Sequence, residues 1–479
     1  MKKVILYNPP GGLWLRGEGR CEQDLDNATA YTVTAPTSLC YMAAILRNKG
    51  IEPKIIDCPV EKIDFEAFKN VISNFNPDMA ILNASVLNLI NDLEVINTIH
   101  KIYPNIINCA ILPYFNSIPL DKISKSLFQC VDIIITGEME AVVNDLADYI
   151  NNIIKQEQIR GIILNDRVSG KIIKNALIPP VDNLDLLPCP ARDLVHNELY
   201  LRPDIGKPMA SIVDGKGCPC SCIYCLAPIT TGRKVRKRSV DSVINEIRHC
   251  IQQYNIYNFL FRSDTFTIDK NWVLEFCRKI TDLNLRIYWA ANSRTDTFDE
   301  ELAFAMKRAG CFLIEFGIES GSDASLKLEK KGTTINNAMN AVVAAKKAKL
   351  LVYGTVLIGF PWENLNSLRE TEKFIHKLNI DFVEAHIVAP YRGTELFEML
   401  ERENLIDNDI IGHDMIKNPA IKGTRYLSRE QLLNFRKEFL RRFYMRPDYF
   451  LKTLLRMRSL SEVIQYGKHG LRILRNQLN

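Results

Sequence analysis

Ala210-Ser211-Ile212-Val213, followed closely by Lys216-Gly217-Cys218-Pro219-Cys220-Ser221-Cys222-Ile223-Tyr224-Cys225, is a short apolar run that feeds into a loop with C-x3-C-x2-C spacing. Such a run reads as a strand, so the cysteine loop begins where the strand ends. Five runs of the same kind follow: Phe259 to Arg262, Ile287 to Ala291, Phe312 to Gly317, Val352 to Ile358 and Phe382 to Val388. Stretches of helical period fill the gaps. In the first of these, Ser239 is an N-cap, Asp241 suits the first turn, and Val240, Val243, Ile244, Ile247 and Ile251 form one apolar face. Six βα units predict a partial (βα)6 TIM-type barrel over residues 207–420, a fold whose chemistry belongs at the C-terminal ends of the strands. The cysteines stand at the first of those ends.

Towards the N-terminus the pattern is again α/β. Strand candidates Val4 to Tyr7, Pro53 to Ile56, Met79 to Leu82, Ile106 to Ile111 and Val131 to Ile135 alternate with helical stretches near 37–48, 62–74, 91–102 and 119–129. This predicts a doubly wound, Rossmann- or flavodoxin-like domain over residues 1–155. Gly17-Glu18-Gly19 lacks the third glycine and the strand-to-helix context of a dinucleotide fingerprint, so a nicotinamide or flavin cofactor gains no support. Residues 156–206 read as a hairpin at Ile162 to Ile173, turning at Ser169-Gly170, and a proline-rich linker from Pro179-Pro180 to Pro190. Residues 421–479 predict a basic helical segment. They hold 14 Lys and Arg against 4 Asp and Glu, in a chain whose total charge is only +5. Phe439, Leu440, Phe443 and Tyr444 interleave there with Arg436, Lys437, Arg441, Arg442 and Arg446, which suits either a cap on the barrel or peripheral contact with anionic lipid.

The chain has 13 cysteines, and its start, Met1-Lys2-Lys3 and then Val4 to Tyr7 before Asn8-Pro9-Pro10, is a strand and a turn rather than a secretory leader. No apolar run approaches the roughly 18 residues of a membrane span. The expected setting is cytoplasmic and reducing, where a tight group of thiols means metal rather than disulfide. Three thiolates at C-x3-C-x2-C spacing can ligate three irons of a [4Fe-4S] cubane and leave the fourth iron open. An open iron can chelate the amino and carboxylate groups of S-adenosylmethionine (SAM) and set its sulfonium beside the cluster for one-electron cleavage. Cys218, Cys222 and Cys225 are therefore the candidate metal ligands, with Cys220 expected to point away. A structural zinc knuckle is the bland alternative, but no second knuckle exists to complete it.

The segment from Cys218 to Thr394 resembles the radical SAM superfamily. The likeness runs through the cysteine spacing, Arg236-Lys237-Arg238-Ser239, Ser263-Asp264-Thr265-Phe266-Thr267 and Gly317-Ile318-Glu319-Ser320-Gly321. With the N-terminal domain, most of the chain resembles the cobalamin-binding branch, and within it the group of the anaerobic magnesium-protoporphyrin cyclase and a hopanoid-biosynthesis protein. The N-terminal matches are Asn8-Pro9-Pro10, Pro36-Thr37-Ser38-Leu39 and Thr136-Gly137-Glu138-Met139-Glu140. The resemblance implies a [4Fe-4S] cluster, SAM and cobalamin. It implies that Asp264 accepts from the SAM ammonium, unless it caps a helix, and that Glu319 meets SAM or substrate hydroxyls, unless it forms a structural ion pair. Asn292 and Arg294 would reach the SAM ribose or carboxylate, and Ser85 would touch the cobalamin nucleotide tail. Two departures bear on cobalamin: there is no Asp-x-His-x-x-Gly motif, and Leu112-Pro113-Tyr114 stands where the family tends to have Gly-Gly.

The function implied is an anaerobic radical SAM enzyme that makes a 5′-deoxyadenosyl radical and transfers a methyl group, with cobalamin, to an unactivated carbon of a small-molecule or lipid-like substrate. A cobalamin-dependent radical cyclase or rearrangement enzyme is the alternative. Flavodoxin or ferredoxin would donate electrons. A tRNA methylthiotransferase would need a second cluster, and Cys21, Cys40, Cys58, Cys109 and Cys130 are too scattered for one, so nucleic acid is not the expected partner. A non-catalytic iron-sulfur or corrinoid carrier is the remaining reading. No catalytic side chain is assigned.

Overall fold

The apolar runs at the N-terminus are strands buried on both faces, as near-continuous hydrophobic segments between covering helices must be. In the computed structural model, residues 1–16, 23–25, 32–120, 130–166, 170–407, 413–457, 462–467 and 470 are described. Strands β1 (Lys3–Asn8), β2 (Glu52–Asp57), β3 (Met79–Leu82), β4 (Ile107–Ile111) and β5 (Ile133–Ile135) form a parallel sheet in the order β2-β1-β3-β4-β5. Along β1 the side chains alternate between two cores, Ile5 and Tyr7 on one face and Val4 and Leu6 on the other. Helices Thr37–Asn48, Phe65–Phe75, Leu89–Ile102 and Met139–Ile150 accompany the strands. The helical stretch expected at 119–129 lies almost wholly outside the described residues. The expected hairpin, β6 (Ile162–Asp166) and β7 (Lys171–Lys174), does not stand apart with the linker. It extends the same sheet antiparallel to β5, because Ile162, Ile163 and Leu164 are apolar enough to continue the core.

The second sheet contains the six expected parallel strands in sequence order: β9 (Lys207–Ile212), β10 (Asn258–Phe261), β11 (Tyr288–Ser293), β12 (Cys311–Glu319), β13 (Leu351–Ile358) and β14 (Phe382–Ile387). A two-residue strand, β8 (Leu201–Arg202), pairs antiparallel with β9. Ser239 caps its helix as the sequence implies, accepting from the Ser242 N–H. The fold is thus a doubly wound domain followed by a partial six-stranded barrel.

β14 is the last strand of the open barrel, and its backbone groups would lie bare without a cover. The basic C-terminal segment supplies that cover. In helix Arg429–Tyr444, the Tyr444 hydroxyl donates to the Val383 carbonyl at 2.6 Å and lies 3.0 Å from the Val383 N–H. Arg436 donates to the Ala385 carbonyl at 2.5 Å and pairs with Glu384. Leu432, Phe435, Phe439, Leu440 and Phe443 of the same helix join the barrel core.

The two domains meet through buried charge. Glu246 of helix Val240–Tyr254 pairs with Arg192 at 2.7 Å and with Arg238, and Tyr41 of the N-terminal domain is hydrogen-bonded to Arg238 at 3.2 Å. Burial alone would raise the Glu246 pKa. The attraction of Arg192 and Arg238 reverses that and holds it below the ordinary 4.5. Replacing Glu246 by Gln leaves two guanidinium groups buried without their counter-charge, and the expected loss in a urea unfolding experiment is about 3–5 kcal/mol. A carboxyl whose folded pKa is depressed stabilises the fold above its unfolded pKa, and that contribution disappears as pH falls through the folded value. The gap between wild type and Glu246→Gln should therefore narrow as unfolding is repeated from pH 7 down through the acid range below pH 4.5.

Candidate active site

The cysteine loop is pinched at its base. Beyond β9, Gly215–Lys216 pairs antiparallel with Arg236–Lys237, so residues 217–235 form a flap leaving and re-entering at one point. Gly217 has φ +92°, and a Cβ there would sit 2.0 Å from the Lys234 carbonyl oxygen, so only glycine closes the pinch. The Cys218 N–H donates to the Gly232 carbonyl at 3.0 Å. Ile223, between the second and third candidate ligands, donates from its N–H to the Glu329 carbonyl at 3.1 Å and accepts from the Leu396 N–H at 3.0 Å. These bonds tie the loop to the far side of the barrel.

Cys218, Cys222 and Cys225 lie on this flap, Cys218 buried and the other two partly exposed. Among the described residues no three His, Cys, Asp or Glu side chains gather around one ion position. The Cys218 thiol is held down at about 6, chiefly by hydrogen bonding from the neighbouring Cys220, with help from Arg294 and Thr265 and against desolvation.

Asp264, two residues past Arg262 at the end of β10, accepts at Oδ2 from the Gly217 N–H at 2.7 Å, and the Thr231 hydroxyl lies 2.8 Å from the same oxygen. It caps no helix. The N-cap of the following helix, Lys270–Asp282, is Asp269. Asn292, in β11, donates to the Ser263 carbonyl at 2.9 Å, while its Oδ1 and the Ser263 hydroxyl are buried without hydrogen-bond partners among the described residues. Glu319 ends β12 at φ +62° and pairs with Lys331 at 2.8 Å, the structural ion pair that the sequence left as its second role. Arg294 is paired with Asp296 and reaches Cys222.

Three residues near these were not singled out as ligand contacts from the sequence. The Tyr224 hydroxyl, between Cys222 and Cys225, is buried with no partner among the described residues. Its ring packs 5.8 Å from Phe360, which stacks on Trp362 at 5.0 Å. Glu329 is fully buried, and desolvation first, then Glu319 and Glu363, pushes its pKa up to about 8. Glu363 accepts from the Gly359 and Phe360 N–H groups at 2.7 and 3.0 Å and so fixes the turn after β13. The aromatic residue inside the cysteine spacing was the one readable signal. Glu329 has none, because only the fold brings it under the loop.

A cleft of about 100 Å3 separates the strand ends of the two domains. Asn8, Asp57 and Asn83 line it on one side, and Ser211, Lys216 and Arg262 on the other. The Ser211 hydroxyl is buried and has no hydrogen-bond partner among the described residues. Ser85 is buried nearby, its N–H donating to Asp92, which pairs with Arg16. Leu112-Pro113-Tyr114 opens a turn at Pro113–Ser117, whose Tyr114 and Phe115 pack in one core with Leu226 and Ile229 of the cysteine flap. Thr136-Gly137-Glu138-Met139-Glu140 has a clear task. Glu138 and Glu140 hold Lys216 at 3.2 and 2.7 Å, and Glu138 holds Arg236 at 2.9 Å.

The Radical SAM superfamily profile matches residues 212–375. An uncharacterized methyltransferase of Pyrococcus horikoshii is 31% identical over 424 residues, covering 88% of this chain and 90% of the relative. The anaerobic magnesium-protoporphyrin IX monomethyl ester cyclase of Rubrivivax gelatinosus is 23% identical, covering 76% of this chain and 66% of the cyclase. Among solved structures, the cobalamin-dependent S-adenosylmethionine radical enzyme OxsB, with aqua-cobalamin and S-adenosylmethionine bound, shares the fold at a TM-score of 0.72 and 17% identity, over 100% of this chain and 72% of that one. The superfamily match over the barrel, together with a 31% identical relative matched over nine-tenths of its length, means that this chain is an enzyme of the radical SAM superfamily.

Proposed function

We propose that Cys218, Cys222 and Cys225 hold a [4Fe-4S] cluster on whose open iron SAM binds, and that the enzyme methylates an unactivated carbon of a small-molecule substrate. The observation that carries this reading is the pinched flap. It carries three thiols at the end of the first barrel strand, beside two buried and unpartnered polar atoms, the Ser263 hydroxyl and Asn292 Oδ1. Bound there, the cluster would supply the single electron that splits SAM into methionine and a 5′-deoxyadenosyl radical. The chain's own part is positional. Asp264 fixes the flap, Asn292 Oδ1 accepts from a SAM polar group, the Ser263 hydroxyl accepts from or donates to one, and the Gly359 turn, held by Glu363, presents backbone to the adenine.

Cobalamin, a methyl donor to carbon radicals, suits the cleft between the strand ends by its polar lining and by the unpartnered Ser211 hydroxyl. A cleft of about 100 Å3 is far smaller than a corrin, so cobalamin binding would require its walls, among them Leu13, Trp14, Arg16 and Val33 to Ser38, to move apart. Ser85 is then a contact for the nucleotide tail. Cyclisation is the second reading, favoured by the cyclase relative. The reducing electron would come from a flavodoxin or ferredoxin. Peripheral contact with anionic lipid is supported by Phe450, Leu451, Leu454 and Leu455, exposed in a row on helix Pro447–Arg456. Among the described residues no helix is long and apolar enough to cross a membrane.

Anaerobic reconstitution should give about four irons per chain. Replacing Cys218, Cys222 or Cys225 by Ala should abolish the cluster, while Cys220→Ser keeps it. Full iron content in the triple alanine variant, or a single zinc, refutes the ligand set. Because Asp264 clamps the flap, Asp264→Ala is expected to lose iron faster on desalting, as well as to bind SAM more weakly. Retention equal to wild type would show that the clamp is dispensable.

Protein purified with hydroxocobalamin should keep a corrinoid absorbance band after desalting, and the labelled methyl of SAM should reach product. Retained corrinoid without label transfer favours cyclisation. Absence of corrinoid from iron-replete protein removes cobalamin altogether. Vesicles containing anionic lipid should co-sediment wild-type protein but not a Leu451→Glu, Leu454→Glu double variant.

A further inference from the structure

Arg294 follows β11, and its guanidinium is committed within the protein. Nε and Nη2 make a two-point pair with Asp296, each bond 2.9 Å, and Nη2 also donates to the Lys331 carbonyl at 2.7 Å. The remaining nitrogen, Nη1, lies 4.0 Å from the Cys222 sulfur. Gly332, beside this fork, sits at φ +73°, a backbone conformation that favours glycine.

A second cation is fixed next to the first. Lys331 is buried in its pair with Glu319, and that pair lies over Gly317, where a Cβ would come 2.6 Å from Glu319 Oε1 and 2.8 Å from Lys331 Nζ. The positive charges beside Cys222 are therefore each held by a carboxylate, Asp296 and Glu319, and Gly317 leaves Lys331 room. An arginine waiting for a SAM carboxylate would offer that ligand a two-nitrogen edge. Here the edge is occupied by Asp296, and the nitrogen left over is directed at sulfur.

We propose that Arg294 is a positioning residue that donates an N–H to the Cys222 sulfur and thereby sets the reduction potential of the cluster. This rests on the cluster reading proposed above. The step concerned is the gain of one electron by the oxidised cluster from an external one-electron donor. No covalent bond is made or broken in the protein and no proton is transferred. The incoming negative charge is shared with the thiolate sulfurs, so a fixed cation and N–H donor at one of them stabilises the reduced form and raises the potential.

The test is an EPR-monitored potentiometric titration of the reconstituted full-length protein and two variants, Arg294→Gln and Arg294→Lys. The first removes the charge. The second keeps the charge and removes the fork. For Arg294→Gln the expected result is a more negative midpoint, such that the ratio of reduced to oxidised cluster at the wild-type midpoint falls about tenfold, or about 59 mV for one electron. Arg294→Lys, which keeps the charge but loses the fixed N–H donor, should shift in the same direction by less. An unmoved midpoint in iron-replete Arg294→Gln overturns the proposal, and so does an unmoved midpoint accompanied by weakened SAM binding, which returns Arg294 to ligand contact. Should Arg294→Gln fail to retain iron, Arg294→Lys decides by the same criterion. A wild-type protein that takes up no four-iron cluster fails at an earlier point, and removes both the cluster reading and this inference.

Discussion

Lys216 carries its ammonium into a site closed to water between Glu138 and Glu140, two residues ahead of the first candidate iron ligand. Burying three charges is worthwhile only where each finds a counter-charge, and here Arg236 completes the set. Burial alone would push the Glu138 pKa up, but Lys216 and Arg236 hold it below its usual range. Both cations flank the pinch that closes the cysteine flap, and both carboxylates open the last helix of the N-terminal sheet's parallel part. One ionic knot therefore sets the flap's origin and the separation of the two domains together. A hydrophobic contact of the same area would allow sliding. Paired charges in a dry site do not.

From that knot the remaining geometry follows in short steps. The flap leaves β9 beside Asp264, whose Oδ2 bonds to Gly217 and Thr231 on either side of the cysteines. Its far end is held by Glu329 and Leu396, so the three thiols are framed by strand ends from most of the barrel. Tyr114 and Phe115 pack against the flap's own short helix, which makes the N-terminal domain part of the loop's support as well as a wall of the cleft. The larger residues that replace a Gly-Gly turn are structural struts in this chain.

Much of this architecture can be read directly from sequence, because apolar runs of four to eight residues at βα spacing have few other solutions. Eleven of the strands lie within a residue or a few of the runs that announce them, and the cysteine spacing names its chemistry at once. The hairpin Ile162 to Ile173 was harder. Its local pattern shows two strands, but which sheet edge they join depends on tertiary packing. The candidate site divides in the same way. Cys218, Cys222 and Cys225 are legible because their chemistry is local. Asp264 and Arg294 are legible as site residues, but not for what they touch, since Gly217 and Cys222 are distant in sequence. Glu319 is half legible: its place after β12 is visible, but its partner Lys331 comes near only when helix Asp323–Leu328 doubles back.

β14 ends the barrel on peptide groups satisfied by Tyr444 and Arg436 side chains and by the Ile387 N–H bond to the Met415 carbonyl, in place of another strand. A ladder of strands fixes a barrel's girth, because each added strand must keep register with its neighbours. A wall closed by one helix and its side chains carries no such obligation. The helix meets the last strand through side chains, Tyr444 and Arg436, and its register is not dictated by the six-stranded ladder. The edge of the barrel is thus closed by side chains whose placement is free of the ladder's register, so a change of length or tilt there does not oblige every strand to shift.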